Sequence, residues 1–464
     1  MEIIRNTMGP TQFFLFQFKK LLFYKSAKDG KTRRSVFKAT FLLSAGLFLL
    51  PDAVFSWGTH YLVMDRSLEH PSMNYVSAEV MSESLESFVV REKHGLKILF
   101  DDFAKWEEGR NSKRFRKIEF RPEQASVLEF LRAARLNPKT NFSEVERILP
   151  GQDLRSGNVS AKDVSPYLLD TTELPAKFRS SKGKKVRIRS VLRTFVDEPD
   201  WGMDHSLWGF EEYGYGKQAY GKPEGEGSKA PFHMQFQNES WILRLFAPEV
   251  VEGGMILDRI ELCSRLSDLA KKTGHPYWSA RFASWAAHYV QDIGQPYHSK
   301  AVPDAGIFYY IDYVFSSKET KKEKKARATQ LVANRHFLYE DFVSFGLIQS
   351  YVQPGDANRS LIGFLTSEFD SFPVNVSFRD LVSFVGENAS SHAFEINRSI
   401  VSTFPAEYTM NPNYDLEKEL GTKMKEIFPK LDPEKSKHLL QETGKDFALT
   451  GSATRSILNS LLKD

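Results

Sequence analysis

The stretch His288-Tyr-Val-Gln-Asp292-Ile-Gly-Gln-Pro296-Tyr-His298 constrains this chain more than any other. His288 and Asp292 stand at i and i+4, so on a helix both side chains project from one face. The segment before them, Tyr277 to Ala287, is rich in alanine and aromatic residues and predicts a buried helix. Gly294 and Pro296 then end that helix, and the turn returns His298 toward the same place. Two imidazoles and a carboxylate converging at a helix end make a site for a first-row metal, zinc first.

A second pair with the same spacing follows: His336 and Glu340, within Leu331-Val-Ala-Asn-Arg-His-Phe-Leu-Tyr-Glu-Asp-Phe-Val. On its own such a pair is usually a surface feature. Asp341 is five residues from His336 and turned off its face, so the spacing selects Glu340. The single cysteine, Cys263, excludes an internal disulfide and a cysteine-built metal site. The formal charge of +4 belongs to the N-terminus, where residues 1–56 hold nine Lys/Arg against three Asp/Glu. From Trp57 onward 54 basic residues face 56 acidic ones, a net of −2 that gives no electrostatic footprint for duplex nucleic acid. Basic residues Lys31 to Lys38, the apolar run Phe41–Leu50 and the residues Val54-Phe-Ser56 read as an export signal cut between Ser56 and Trp57. The run is too short to span a bilayer comfortably, so a secreted or periplasmic mature protein is expected.

The pattern H-Y-x-x-D-x-x-x-P-x-H resembles the signature of the zinc-dependent phospholipase C and S1/P1 nuclease superfamily. That resemblance implies an all-α fold: one large multi-helical domain holding three zinc ions that hydrolyse phosphodiesters. Trp57-Gly-Thr-His60 is similar to the family's mature start, where a terminal tryptophan chelates zinc through its free amine and carbonyl oxygen, with a histidine nearby. The resemblance further implies an aspartate before a histidine, for which Asp200 and His233 are chosen; Asp197 and Asp204 rival the first and His205 the second. Carried over residue by residue, Asp200, His233, His288 and Asp292 would hold one zinc, His298, His336 and Glu340 a second, and Trp57, His60 and Asp292 a third. Asp200 would also be the general base. The interval between Asp200 and His233 is longer than in the family, and its Tyr/Gly-rich stretch, Tyr213 to Gly227, reads as a mobile loop, either a surface excursion or a lip over the site.

These implications give residues 1–56 as a leader, 57–410 as the phosphodiesterase domain with insertions near 100–195 and 205–230, and 411–464 as a helical extension. Residues 75–195 read as helical, with Phe142–Leu149 and Val164–Leu169 as short helices and the basic run Ser180–Arg189 as a solvated loop. Phospholipids with peripheral membrane contact are the expected substrate. Glu340 stands where the family's nucleases carry aspartate, and Trp201 either offers an aromatic face to a quaternary ammonium head group or packs in the core. The chain departs from the phospholipase pattern at Gln291 and Ala301. Two other readings are an S1/P1-like nuclease on single strands, with aromatic side chains stacking bases, and a non-catalytic zinc-stabilised binding protein.

Overall fold

The computed structural model describes residues 59–464 apart from 112–117, 153–156, 169–175, most of 206–229, 240, 247, most of 305–314, 353–360, 417–423 and 464. In chain order its main elements are α1 (His60–Ser67), β1 (Glu79–Met81), α2 (Lys93–Asn111), β2 (Val145–Arg147), β3 (Asn158–Val159), β4 (Phe178–Ser180), β5 (Lys185–Arg187) and α3 (Ile188–Phe195). Then come α4 (Ile256–Lys272), α5 (Pro276–Ile293), α6 (Lys318–Val352), α7 (Phe378–Thr403) and α8 (Pro433–Leu462). The protein is mainly helical.

Helix α5 is the axis of the core. Pro276 occupies its first turn, where a missing N–H is harmless, and every residue from Tyr277 to Ile293 is buried. Such a helix needs partners on all sides; α3, α4, α7 and α8 supply them. Trp278, Phe282 and Trp285 recur along it at helical spacing and pack ring against ring, each worth roughly 1.5–3 kcal/mol when buried. At its end, a Cβ on Gly294 would lie 2.4 Å from Thr450 Oγ1 of α8. Glycine there lets the two helices approach, and Gln291 Nε2 donates to Thr454 Oγ1 at 3.3 Å. The segment read as a helical extension is therefore built into the core: α8 is one helix of 30 residues packed along α5.

Residues 75–195 differ from their all-helical reading. Strand β1 pairs antiparallel with β5, and β4 pairs antiparallel with both β2 and β3. Phe142–Leu149 thus contains a strand rather than a helix, and the basic run Ser180–Arg189 is the turn and strand joining the two small sheets. In three-residue strands one buried position, such as Val186 in Lys185–Arg187, gives too little alternation to separate period two from period 3.6.

On the far side of the core His392 of α7 lies between Asp446 and Glu442 of α8, at 2.9 and 2.8 Å. Burial works against its charge, but the hydrogen bonds and charges of Asp446 and then Glu442 outweigh that and push its pKa up to about 9. Its ionic contribution to stability is complete below the unfolded value near 6.5 and disappears as pH rises through about 9. Urea midpoints measured at pH 6 and pH 10 are expected to differ more for the wild type than for His392→Gln; equal differences would show that the pair carries no net stability.

Candidate metal centre

Six elements deliver the described candidate ligands. His60 opens α1, whose second backbone N–H, on Tyr61, donates to Asp197 Oδ1 at 2.9 Å, satisfying one of the donors left over at a helix start. Asp197 also pairs with Arg147, whose guanidinium lies 3.5 Å from the centre of the Tyr61 ring. Asp200 sits in a tight turn, Glu198–Trp201, after α3. That turn is fixed by Glu198, which takes two hydrogen bonds from Arg281, at 2.9 and 2.5 Å, and one from Trp285 Nε1 at 2.8 Å. His233 ends the short helix Ala230–His233, and the backbone N–H of Gln235 donates to the carbonyl of His298 at 2.8 Å. His288 and Asp292 come from α5, His298 from the turn Pro296–Ser299, and His336 and Glu340 from the buried half of α6.

These side chains form three groups, each close enough for one cation: His60, His288 and Asp292; Asp200, His233 and His288, which shares His288 with the first; and His298, His336 and Glu340. Asp292 stands between them. Its Oδ2 is 2.8 Å from His233 Nδ1 and 3.2 Å from His288 Nε2, and its Oδ1 is 3.3 Å from His298 Nδ1 and 3.6 Å from His60 Nε2. Glu340 Oε1 lies 2.9 Å from His336 Nε2 and 3.4 Å from His298 Nε2. Asp200 is 3.8 Å from His233 Nδ1 and 3.9 Å from His60 Nε2, and at 18 % side-chain exposure it is the member with appreciable solvent contact.

An outer layer orients the imidazoles. His233 Nε2 is 3.3 Å from Asp204 Oδ2, which also accepts from Tyr289 at 2.7 Å, while Oδ1 pairs with Arg259. His60 Nδ1 is 2.7 Å from Gln291 Oε1. Gln295 Nε2 is 2.7 Å from His336 Nε2 and donates to Glu340 Oε1 at 3.0 Å. Carboxylates and carbonyls behind histidines fix tautomer and ring direction in metal sites. Without a cation the charges are in conflict. Burial opposes protonation of His233, yet Asp292 and Asp204 push it up to about 9, while burial and the charge of His60 pull His288 down to about 4. Burial also opposes ionisation of Asp292, and the facing His288 and His233 hold it well below the ordinary carboxylate range.

The residues fit a divalent cation. Both nitrogens of His298, Nδ1 of His288 and Oε2 of Glu340 are buried without a hydrogen-bond partner among the described residues. Each such orphan costs about 1–3 kcal/mol, and burying an ion costs several more unless it is paired. A structural zinc in small peptides returns on the order of 10 kcal/mol, enough to offset a cluster that would otherwise only weaken the fold. Deprotonated imidazole and carboxylate, with no thiolate, suit zinc, and the two oxygens of Asp292, each facing two imidazoles, would let it serve neighbouring ions.

The structure corrects or refines several expectations. Trp201 does not face the cluster: it is 4 % exposed and packs edge-to-face on Phe178 and Phe195, so it offers no face to a head group. Asp197 and Asp204, the rivals of Asp200, are taken by Arg147 and Arg259, and His205 lies against Tyr167, outside the three groups. The described tyrosines of the Tyr/Gly-rich stretch, Tyr213, Tyr215 and Tyr220, are buried, and Tyr220 donates to the carbonyl of Met234 at 2.6 Å; these side chains form wall rather than surface excursion. Trp57 lies outside the described residues. Sequence reasoning missed Gln295 and the part played by Gln291. The only signal for Gln291 was that it departs from the family pattern in the turn between the two α5 ligands.

No family model, no curated protein and no solved structure matches the chain.

Proposed function

We propose that the chain is an exported zinc-dependent phosphodiesterase of the phospholipase C type, cut before Trp57, that hydrolyses phospholipids to diacylglycerol and a phosphorylated head group. The observation that carries this reading is the convergence of His60, Asp200, His233, His288, Asp292, His298, His336 and Glu340 into three touching groups of cation-sized spacing. Trp57, three residues before His60, would complete the His60 group with its free amine. Zinc held by these residues supplies Lewis-acid polarisation of the phosphodiester and a lowered pKa for the attacking water.

The chain's own residues supply the rest. Asp204, 3.3 Å from Nε2 of His233, and Gln291, at 2.7 Å from Nδ1 of His60, would leave the opposite nitrogen of each ring for a cation. Asp292 keeps the His60, His233 and His288 side in register with His298. Asp200, the solvent-reaching carboxylate, takes the proton from water as general base at its Oδ. No serine or cysteine nucleophile is required, and the buried Cys263 is held far from ionisation. Among the described residues no helix is long and apolar enough to cross a membrane, so the proposed access to lipid is peripheral.

The test uses the chain beginning at Trp57, loaded with zinc, beside His288→Ala. Phosphatidylcholine vesicles and single-stranded DNA are offered in parallel, and released phosphocholine and acid-soluble nucleotides are scored. Zinc-dependent phosphocholine release that His288→Ala lacks is expected. Nucleotide release alone would move the chain to the nuclease reading, and bound zinc with neither product would favour a binding role.

A further inference from the structure

Away from the metal centre, a pocket of about 670 Å³ opens between α1, the start of α3, residues 149–152 and the end of α6. None of the described candidate metal ligands lines it. Its wall carries four arginines, Arg66, Arg187, Arg189 and Arg193, against two carboxylates, Asp65 and Glu69. The two acids are already used. Asp65 accepts from Arg189 Nε at 3.1 Å and from Tyr351 at 3.0 Å, and lies 3.4 Å from Arg193. Glu69 takes Arg66 at 2.7 Å and Arg189 at 3.4 Å. Among the lining residues positive charge therefore exceeds negative by two, with Glu146, bonded to Ser190 and shared with Arg179, the further carboxylate acting on Arg193. Nε of Arg66 and Nε of Arg193 lack a hydrogen-bond partner among the described residues but are closed off from solvent, so the donors most open to a ligand are those of Arg187. Arg187 is exposed and forms no ion pair with them.

Arg66 is braced in place, its guanidinium 4.2 Å from the centre of the Tyr351 ring, and Arg193 is tied to the carbonyl of Arg147 at 3.3 Å. Clustered guanidinium groups with spare donors match a tetrahedral oxyanion carrying about two negative charges and several acceptor oxygens. A carboxylate would leave one charge unmet. We propose that this pocket is a binding site for a phosphomonoester group, separate from the metal centre. The group comes either from the head of an anionic phospholipid or from free phosphate. The inference does not depend on the proposed hydrolysis.

The test titrates inorganic phosphate into the zinc-loaded protein by calorimetry, comparing wild type, Arg66→Gln/Arg187→Gln and His288→Ala. Flotation with phosphatidylcholine vesicles, with and without phosphatidic acid, runs alongside. The arginine variant is expected to lose one class of phosphate binding by about tenfold or more with its zinc content unchanged, and His288→Ala is expected to keep that class. Loss of flotation with phosphatidic acid vesicles in the arginine variant assigns the site to a lipid head group. Unchanged flotation with lost titration assigns it to free phosphate. Arg187→Gln alone, at an exposed position, serves if the double variant fails to fold. Phosphate binding absent from the wild type, unaltered by the arginine substitutions, or wholly removed by His288→Ala would overturn the proposal.

Discussion

Asp292→Asn is expected to reduce the proposed zinc-dependent hydrolysis by about a thousandfold or more, because several kcal/mol of transition-state stabilisation would leave with the cations. The size of the effect follows from position. Asp292 is fully buried and faces four imidazoles with its two oxygens, so no neighbouring carboxylate replaces it. Asparagine keeps the shape but offers one acceptor and one donor, and the donor meets imidazole nitrogens that must stay free for metal. Zinc content and turnover should fall together. Retained zinc with lost turnover would mean that Asp292 acts on substrate rather than as a bridging ligand. Asp200→Asn should differ, leaving most of the zinc bound while turnover and its pH dependence change.

Arg281→Met is expected to destabilise the fold by about 3–5 kcal/mol, a large share of the roughly 5–15 kcal/mol typical of a native protein. Arg281 and Glu198 are both buried, and their two hydrogen bonds cross between α5 and the turn carrying Asp200. Removing the guanidinium strands Glu198 as an uncompensated carboxylate beside Trp285. The double variant Arg281→Met/Glu198→Leu should recover much of the stability, since apolar replacement of a buried pair is often neutral. It should not recover hydrolysis, because the turn that sets the direction of Asp200 has lost its anchor. Urea denaturation of the two single variants and the double one measures this. Additive losses would show that the pair does not interact. The exposed pair of Lys272 and Asp268 is the control: Lys272→Ala is expected to leave the urea midpoint unchanged within error.

The central helix and its two ligands were legible in the sequence because their information is local. Four-residue spacing, an alanine and aromatic run, and a Gly-x-Pro stop are all read within 22 residues, Tyr277 to His298. The pair His336 and Glu340 was legible for the same reason. The choice among Asp197, Asp200 and Asp204 was not a local matter. Arg147, Arg281 and Arg259 decide it, each lying at least 50 positions away in sequence, by capturing Asp197, Glu198 and Asp204 and leaving Asp200 to the cluster. Trp201 misled because an aromatic next to a site aspartate looks the same whether it faces outward or inward; Phe178, on a strand that sequence periodicity missed, decides that it faces inward. The roles of Gln291 and Gln295 depend on side chains meeting across α1, α5 and α6, which no spacing rule reports.

The most direct measurement is metal content by elemental mass spectrometry on two purified forms, one beginning at Trp57 and one with an extra residue before it. About three zinc ions per chain are expected in the first form and about two in the second, because an amide nitrogen is a poor ligand where a terminal amine is a good one. Absence of bound zinc from both forms would contradict the metal centre itself.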